Sequence, residues 1–421
     1  MIPFHKSELD NGIRVLSEQH LDSRAVSIGI WVLTGTRDEA ADEGGISHLL
    51  EHLVFKGTKT RSAYQIAKSL EALGGDLNAY TTREYTCYHA LVLKDHWEEA
   101  LDVLCDLVTN MQISTNDFKL EKGVILQEIA MTDDTPEELI YDLLFEKAYA
   151  GHPLSTPILG TVKSVASMSQ KKVTDYYKSR YTGRNIIVTA AGNLDHQIFF
   201  EAVEKKLAKK QKAKFSAVRD RPRWKAARAV SEKSSEQAHM LMGLPTSSFK
   251  DPQRFESYIV NTLLGGGMTS KLYQSVREKK GLVYSIHSML NTYVDSGSML
   301  IYAGTDLKSV RKVAEIISRE LKKLKKSGIS AADVELFKTQ VIGSILLGSD
   351  DIESRMTSIA VNEMVFGEYR SVDSVVQQIQ KVSRASVNEF IREKFDTDKI
   401  SGVLMGAGVD ELGKWWKDFE F

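Results

Sequence analysis

Two histidines and a glutamate stand close together in the run His48-Leu49-Leu50-Glu51-His52. On a helix, His48, Glu51 and His52 fall at i, i+3 and i+4 and share one face. Ile46, Leu49, Leu50, Leu53 and Val54 fall at i, i+3, i+4, i+7 and i+8 and form an apolar stripe on the opposite face. The stripe anchors the helix while two imidazoles and a carboxylate project together. That spacing lets two imidazole nitrogens meet one metal ion and leaves the carboxylate beside it. The plainer reading is a solvated polar face. A catalytic zinc centre also needs a third protein ligand and an open position for water. Glu128 is the candidate, in Val124-Ile125-Leu126-Gln127-Glu128-Ile129, where a carboxylate among aliphatic residues is costly unless paired or metal-bound. Glu121 lies one heptad earlier, on nearly the same face. An exposed helix acid is the alternative for Glu128.

Residues 26–33 read as the buried strand that precedes this helix, which starts at about residue 44. Ser62 to Leu73 reads as a second helix, and residues 77–92, rich in Tyr, Thr and Leu, as strand. Residues 95–110, 115–131, 136–149 and 171–180 are helical in pattern, and Ile186 to Ala190 is a strand that ends at Gly192. Strands and helices on a mostly antiparallel plan give an α+β class.

The chain also resembles itself. Val173-Thr174-Asp175-Tyr176-Tyr177 matches Val387-Asn388-Glu389-Phe390-Ile391. Ala191-Gly192 matches Ala407-Gly408, and the helix at Asp117-Phe118 matches the one at Asp333-Val334. The offset stays at 214 to 216 residues. A length of 421 residues suits two domains. The expected division is a first domain at 1–215, a basic linker at 216–232 and a homologous domain at 233–421.

The net charge of −1 points neither to nucleic acid nor to an anionic membrane. Residues 205–228 hold eleven Lys or Arg and one acid, Asp220. They read as a solvated interdomain linker, because only Phe215 and Trp224 could stack on bases. Two cysteines without a CxxC pair argue against a disulfide framework or thiolate metal site and fit a reducing compartment. The N-terminus lacks an apolar signal-peptide core, and the longest apolar runs are strand-sized. The expectation is a soluble cytoplasmic protein.

The His48-to-His52 run, followed by Phe55-Lys56-Gly57-Thr58, resembles the inverted zinc motif of the pitrilysin-like (M16) peptidases. Seventy-five residues separate His52 from Glu128, as that family's third ligand requires. Gly74 to Thr81, His152-Pro153-Leu154 and Gly265 to Tyr273 are further similar stretches. The chain is similar to the short branch that includes bacterial processing proteases and the mitochondrial processing peptidase β subunit. The resemblance implies two homologous domains, each a mostly antiparallel sheet with helices packed on it, forming half of a clam-shell chamber. It implies one zinc per chain on His48, His52 and Glu128, with water in the fourth position. Glu51 would take the water's proton and deliver it to the leaving amine. Glu121 would orient a ligand or balance charge.

At offsets of 213 for the first three and 216 for the last, Asn261, Leu264, Gly265 and Ser344 stand where the first domain has His48, Glu51, His52 and Glu128, so the second domain cannot bind zinc this way. It carries Arg277 and Tyr284 instead. In the family, an Arg and a Tyr so spaced reach toward the substrate, and the phenol can hydrogen-bond a developing oxyanion. The plainer alternative puts Arg277 in a surface salt bridge and Tyr284 in the core. A homodimer would complete the chamber, with Arg277 and Tyr284 crossing to the partner's zinc. Leu77 to Thr82 resembles the family's edge strand, where an extended peptide adds by backbone hydrogen bonds; Asn78 and Ala79 are the candidates. Gly265-Gly266-Gly267 lacks the ending of a phosphate loop and reads as a flexible break. The implied function is a zinc endopeptidase of the bacterial cytoplasm acting on unfolded peptides or presequence-like segments. The alternative is a non-catalytic structural subunit of the same family, of the kind that typically loses a ligand or the base.

Overall fold

The structure is a computed structural model that describes residues 3–213 and 218–421. Its strands are β1 (Phe4–Glu8), β2 (Arg14–Gln19), β3 (Ala25–Val32), β4 (Asp76–Thr81), β5 (Thr86–Leu93), β6 (Ile186–Gly192), β7 (Arg228–Glu232), β8 (Ala238–Thr246), β9 (Val283–Thr292), β10 (Gly297–Thr305) and β11 (Ser401–Gly406). Its helices are α1 (Ile46–Leu53), α2 (Ala63–Glu71), α3 (Trp97–Asn110), α4 (Thr115–Asp133), α5 (Pro136–Ala148), α6 (Val162–Ser167), α7 (Gln170–Arg180), α8 (His196–Leu207), α9 (Arg254–Gly265), α10 (Val310–Ser327), α11 (Ala331–Gly348), α12 (Ile352–Phe366), α13 (Val372–Gln380), α14 (Arg384–Lys394) and α15 (Gly413–Asp418). Two compact α+β units result. One takes Met1–Ala130, Thr156–Arg219 and Leu347–Arg370; the other takes Met131–Ser155, Asp220–Leu346 and Ser371–Phe421.

The first unit has a six-stranded sheet in the order β1-β2-β6-β3-β5-β4. Every pairing is antiparallel except β2 with β6. The central strand β3 is covered on both faces, which is why it reads as a continuous apolar run. Ile28, Ile30 and Val32 face a core shared with Leu49, Leu50 and Leu53 of α1. Trp31 points to the other face, where it joins Leu16, Cys87 and Ile187 under Met356, Ile359 and Ala360 of α12. Gly29 lets that helix come close, since a Cβ there would sit 2.5 Å from the Met356 sulfur. Charge pairs fasten α12 as well. Arg355 donates to both oxygens of buried Glu18 at 2.8 and 2.6 Å, and Glu363 takes Lys6 at 2.7 Å and Arg14 at 3.0 Å.

The second unit repeats the plan with a five-stranded sheet, β7-β11-β8-β10-β9, antiparallel except for β7 with β11. One face packs on α9, α10, α11 and α14 through residues such as Met240, Ile301, Ile259, Ile317, Phe337 and Phe390. The other face is covered by Ile140, Leu144 and Phe145 of α5, against Leu241, Leu300 and Val403.

The units are therefore not contiguous in the chain. At the repeat offset α5 and α12 are equivalent helices, and each belongs to the unit that the rest of its half does not form. The expected division at 215 and 233 misplaces both helices. It also misplaces residues 228–232, which form β7 beside β11. The basic run is not a solvated linker throughout. Lys205 and Lys206 end α8, and Lys206 pairs with Asp102. Half-buried Lys210 donates to the carbonyls of Val108 at 2.7 Å and Tyr181 at 2.8 Å. Residues 214–217, including the expected stacking residue Phe215, lie outside the described residues. Residues 77–92 form a hairpin, because the Thr82 hydroxyl accepts the amides of Glu84 (3.2 Å) and Tyr85 (3.0 Å) and turns the chain.

Candidate metal centre

α1 is eight residues long, and its stripe of Ile46, Leu49, Leu50 and Leu53 is fully buried, so the orientation of the opposite face is fixed. α4 crosses nearby and brings Glu121 and Glu128 to the same place. Ligating atoms of His48, His52 and Glu128 lie within 4.8 Å of one another, and no other such group of His, Cys, Asp or Glu occurs among the described residues. Glu128 stands 3.5 Å from His52 Nε2 and 3.9 Å from His48 Nε2. Those distances go to the two different Glu128 oxygens; ligands about 2.1 Å from a tetrahedral zinc stand roughly 3.4 Å apart, so the three side chains fit one ion once they draw in from the 4.8 Å that bounds the group.

The surroundings of both imidazoles suit a cation. Burial, with the neighbouring His52, pushes His48 down to about 4, so it is neutral at neutral pH. His52 Nδ1 faces Glu121 Oε2 at 3.1 Å, which keeps the proton on Nδ1 and leaves the Nε2 lone pair toward Glu128. Glu121 Oε1 in turn pairs with Lys56 Nζ at 2.8 Å. The two glutamates differ from expectation in burial. Glu121 is the buried one, at 4% exposure, and Glu128 is partly open to solvent. Heptad spacing put both on one face but did not show which end of it the core covers.

Glu51 stays outside the ligand group and beside it. Its Oε2 accepts a hydrogen bond from the Thr81 hydroxyl at 2.6 Å. Burial raises its carboxyl above the usual range, and the Glu128 charge adds to the rise, while Thr81 and His52 oppose it. Thr81 and Lys56 are site residues that the sequence reading did not single out. Lys56 stood in the flank of the motif. Thr81 follows from strand periodicity, which puts it on the same side of β4 as Ala79.

Asn78 and Ala79 lie on β4, an edge of the six-stranded sheet that pairs only with β5. The backbone on the far side of β4 has no strand partner among the described residues. Arg277 and Tyr284 belong to the other unit, where the structure brings them together. The Arg277 guanidinium lies 5.0 Å from the Tyr273 ring and 6.0 Å from the Tyr284 ring. Tyr284 is 76% exposed, which removes the reading of it as a core residue. The repeat positions confirm that no second centre of this kind exists there. Leu264 is buried in the core, Ser344 is exposed, and any side chain at Gly265 would collide with the backbone of Ser288.

Two family models match the chain. The one for insulinase, peptidase family M16, covers residues 14–162, and the one for the M16 inactive domain covers residues 167–341. A Bacillus subtilis protein named uncharacterized zinc protease YmxG is 35% identical over 94% of this chain and 97% of its own length. A Mycobacterium leprae protein, also named an uncharacterized zinc protease, is 36% identical over 95% of this chain and 91% of its own. A protease from Helicobacter pylori has the same fold, with a TM-score of 0.89 at 22% identity over 96% of this chain and 100% of its own. An M16 inactive-domain structure from Pseudomonas fluorescens gives a TM-score of 0.90 at 18% identity over 97% of this chain and 98% of its own. On this evidence the chain belongs to the M16, or insulinase, family of peptidases.

Proposed function

We propose that the protein is a zinc endopeptidase that cleaves unfolded peptides or presequence-like segments. The observation that carries this reading is the convergence of His48, His52 and Glu128 with a half-buried Glu51, outside the ligand group, at their side. Those three residues would hold zinc, one ion per chain, which would supply a Lewis acid for the scissile carbonyl and acidify the attacking water. Glu51 takes the proton from that water and delivers it to the leaving amine. Its raised affinity for a proton, caused first by burial, suits a group that must hold one between the two transfers. Thr81 keeps one oxygen of Glu51 in place, and Glu121 with Lys56 does the same for the His52 ring.

The free edge of β4 takes the substrate as an added strand, with Asn78 and Ala79 beside it. This mode reads backbone and favours extended, unfolded chains. Arg277 and exposed Tyr284 act on the substrate from a second copy of the chain, so the working unit is a homodimer. The "inactive domain" description of residues 167–341 agrees with the missing ligands at Asn261, Leu264 and Gly265 and does not touch the set in the first unit. That intact set favours the enzyme over a structural subunit. No helix among the described residues is long and apolar enough to cross a membrane. Bacterial cytoplasm is the proposed compartment, supported by free, buried Cys87 and Cys105.

The test is zinc content and peptide cleavage in the wild-type chain and Glu51→Gln. The expected result is equal zinc with activity lost by at least about a hundredfold. Full activity in Glu51→Gln sinks the assignment of the base, and a wild type without cleavage on any unfolded peptide sinks the enzyme.

A further inference from the structure

We propose that Glu39 is a positioning residue for the zinc site, fixing the N-terminal end of α1 and hence the place of His48, with Asp38 and Arg219 bracing its loop. The inference rests on the zinc reading above and adds a residue outside the motif.

His48 is only the third residue of α1, so its position follows whatever holds the first turn. The first amides of a helix have no partner inside it. The residue at the cap, Gly45, has no side chain to offer. Nor could another residue stand there, because Gly45 has φ +89 and a Cβ would lie 2.6 Å from the carbonyl oxygen of Leu159. Glu39 supplies the cap from six residues upstream. Its Oε2 accepts the Gly45 amide at 2.9 Å and its Oε1 accepts the Ser47 amide at 2.8 Å. An ordinary cap uses one side-chain oxygen. Two oxygens on amides two residues apart fix both the height and the rotation of the turn, and Ser47 is bonded directly to His48. The side chain is buried, and the Ser47 side chain adds a further hydrogen bond to the same carboxyl.

The loop that carries Glu39 is itself held. Asp38, the residue before it, accepts Arg219 Nε at 2.8 Å and Nη2 at 2.7 Å, and its Oδ2 also accepts the Gly35 amide at 3.0 Å. Arg219 Nη2 donates as well to the Glu84 carbonyl at 2.6 Å. The amides of Thr36 and Arg37 donate to the carbonyls of Thr82 and Arg83, at 3.2 and 2.8 Å. So residues 35–39 are stapled to the turn that ends β4, and β4 carries Thr81, the partner of Glu51. One strut thus sets the register between the helix that bears His48 and Glu51 and the strand that orients Glu51. Arg219 is the last residue of this unit before the chain leaves it.

A cap that only stabilises the fold would lower melting temperature and leave metal binding alone. The test therefore measures zinc affinity by chelator competition and the visible absorption of the cobalt-loaded protein, on the full chain. Glu39→Gln puts an amide nitrogen against one backbone N–H. It should bind zinc about tenfold more weakly, the loss typical of groups that orient metal ligands, with a shifted cobalt spectrum and wild-type circular dichroism. Glu39→Asp keeps a carboxyl group but is one methylene short of spanning both amides, so it should show the same loss and provides the comparison if the Gln variant fails to fold. Arg219→Ala should weaken zinc binding in the same direction. Wild-type zinc affinity and cobalt spectrum in both Glu39 variants, whatever their melting temperatures, overturn the proposal. A wild-type protein that holds no more zinc than His48→Ala overturns instead the metal reading on which it rests.

Discussion

Replacing Glu121 by Gln separates metal affinity from fold stability. In the native protein Glu121 lies between His52 Nδ1 at 3.1 Å and Lys56 Nζ at 2.8 Å and is nearly fully buried. A Gln there keeps the volume and can still accept the His52 N–H through its amide oxygen. What disappears is the negative charge behind the ring, which makes Nε2 a better donor to a cation. Loss of such a partner costs about 10- to 100-fold in metal affinity, or about 1.4 to 2.8 kcal/mol. The folding cost is smaller. The Lys56 side chain is 38% exposed and can turn its ammonium into water, so the broken pair is worth about 1 kcal/mol or less. Zinc competition with a chelator and thermal melting of the metal-free protein measure the two quantities separately. The expected outcome is an affinity loss larger than the stability loss. Lys56→Met should act in the opposite sense on zinc, since Glu121 then has only His52 to serve. Zinc affinity within about twofold of wild type in Glu121→Gln, with a large drop in melting temperature, would refute the reasoning.

Thr81→Val should lower kcat about tenfold or more at unchanged zinc content, because a hydrogen bond to a charged group is worth about 1.5 to 3 kcal/mol; a loss of zinc instead would show that Thr81 supports the helix and not the base. If Arg277 acts from a second copy, two inactive chains, Glu51→Gln and Arg277→Ala, should regain activity when refolded together, and a mixture that stays dead argues against sharing between copies. Stability should fall in acid through Glu18. Burial pushes its carboxyl up, but the hydrogen bonds of His20 and Arg355 and the Arg355 charge outweigh this and hold it at about 2, from an ordinary 4.5. The folded value is depressed, so the stabilisation is complete above about pH 4.5 and is lost as pH falls toward 2; it amounts to about 3 kcal/mol. Urea midpoints measured across that range should fall more steeply for wild type than for Glu18→Gln, and parallel curves would deny Glu18 this role.

The metal helix was legible in the sequence because its signal is local. The apolar stripe and the histidine spacing both follow from 3.6 residues per turn, and the structure keeps each residue where that period puts it. Glu128 stood out as a carboxylate in an aliphatic run, at a distance from His52 that fits the family, but its partial exposure did not show, because periodicity gives a face and not the depth of the core above it. Thr81 and Glu39 carry no local signal of their role. Their meaning comes from which strand and which helix end the fold brings to them. The hairpin between β4 and β5 hid in an apolar stretch whose only punctuation is Thr82 and its neighbours. β7 hid because Arg228-Ala229-Val230-Ser231-Glu232 is not apolar, and its partner β11 lies more than 170 residues later. The exchange of α5 and α12 was invisible for a similar reason. An amphipathic helix shows that it needs a partner surface and not which of two related sheets will supply it.

That exchange bears on how the protein is made. A ribosome releases the six strands of the first sheet long before it releases α12. Until residue 370 has emerged, Trp31, Cys87 and Ile187 lack their cover, and Glu18 is left without Arg355. The nascent first half therefore carries an uncovered apolar sheet face through the synthesis of more than 150 residues, and it holds α5, whose own sheet is not yet complete. A gene cut at the apparent linker would leave each product one helix short and in possession of the other's. Such halves should aggregate when expressed singly and become soluble when produced in the same cell, so that the unit bearing His48, His52 and Glu128 depends on chain as far as residue 370 and not on the first half alone.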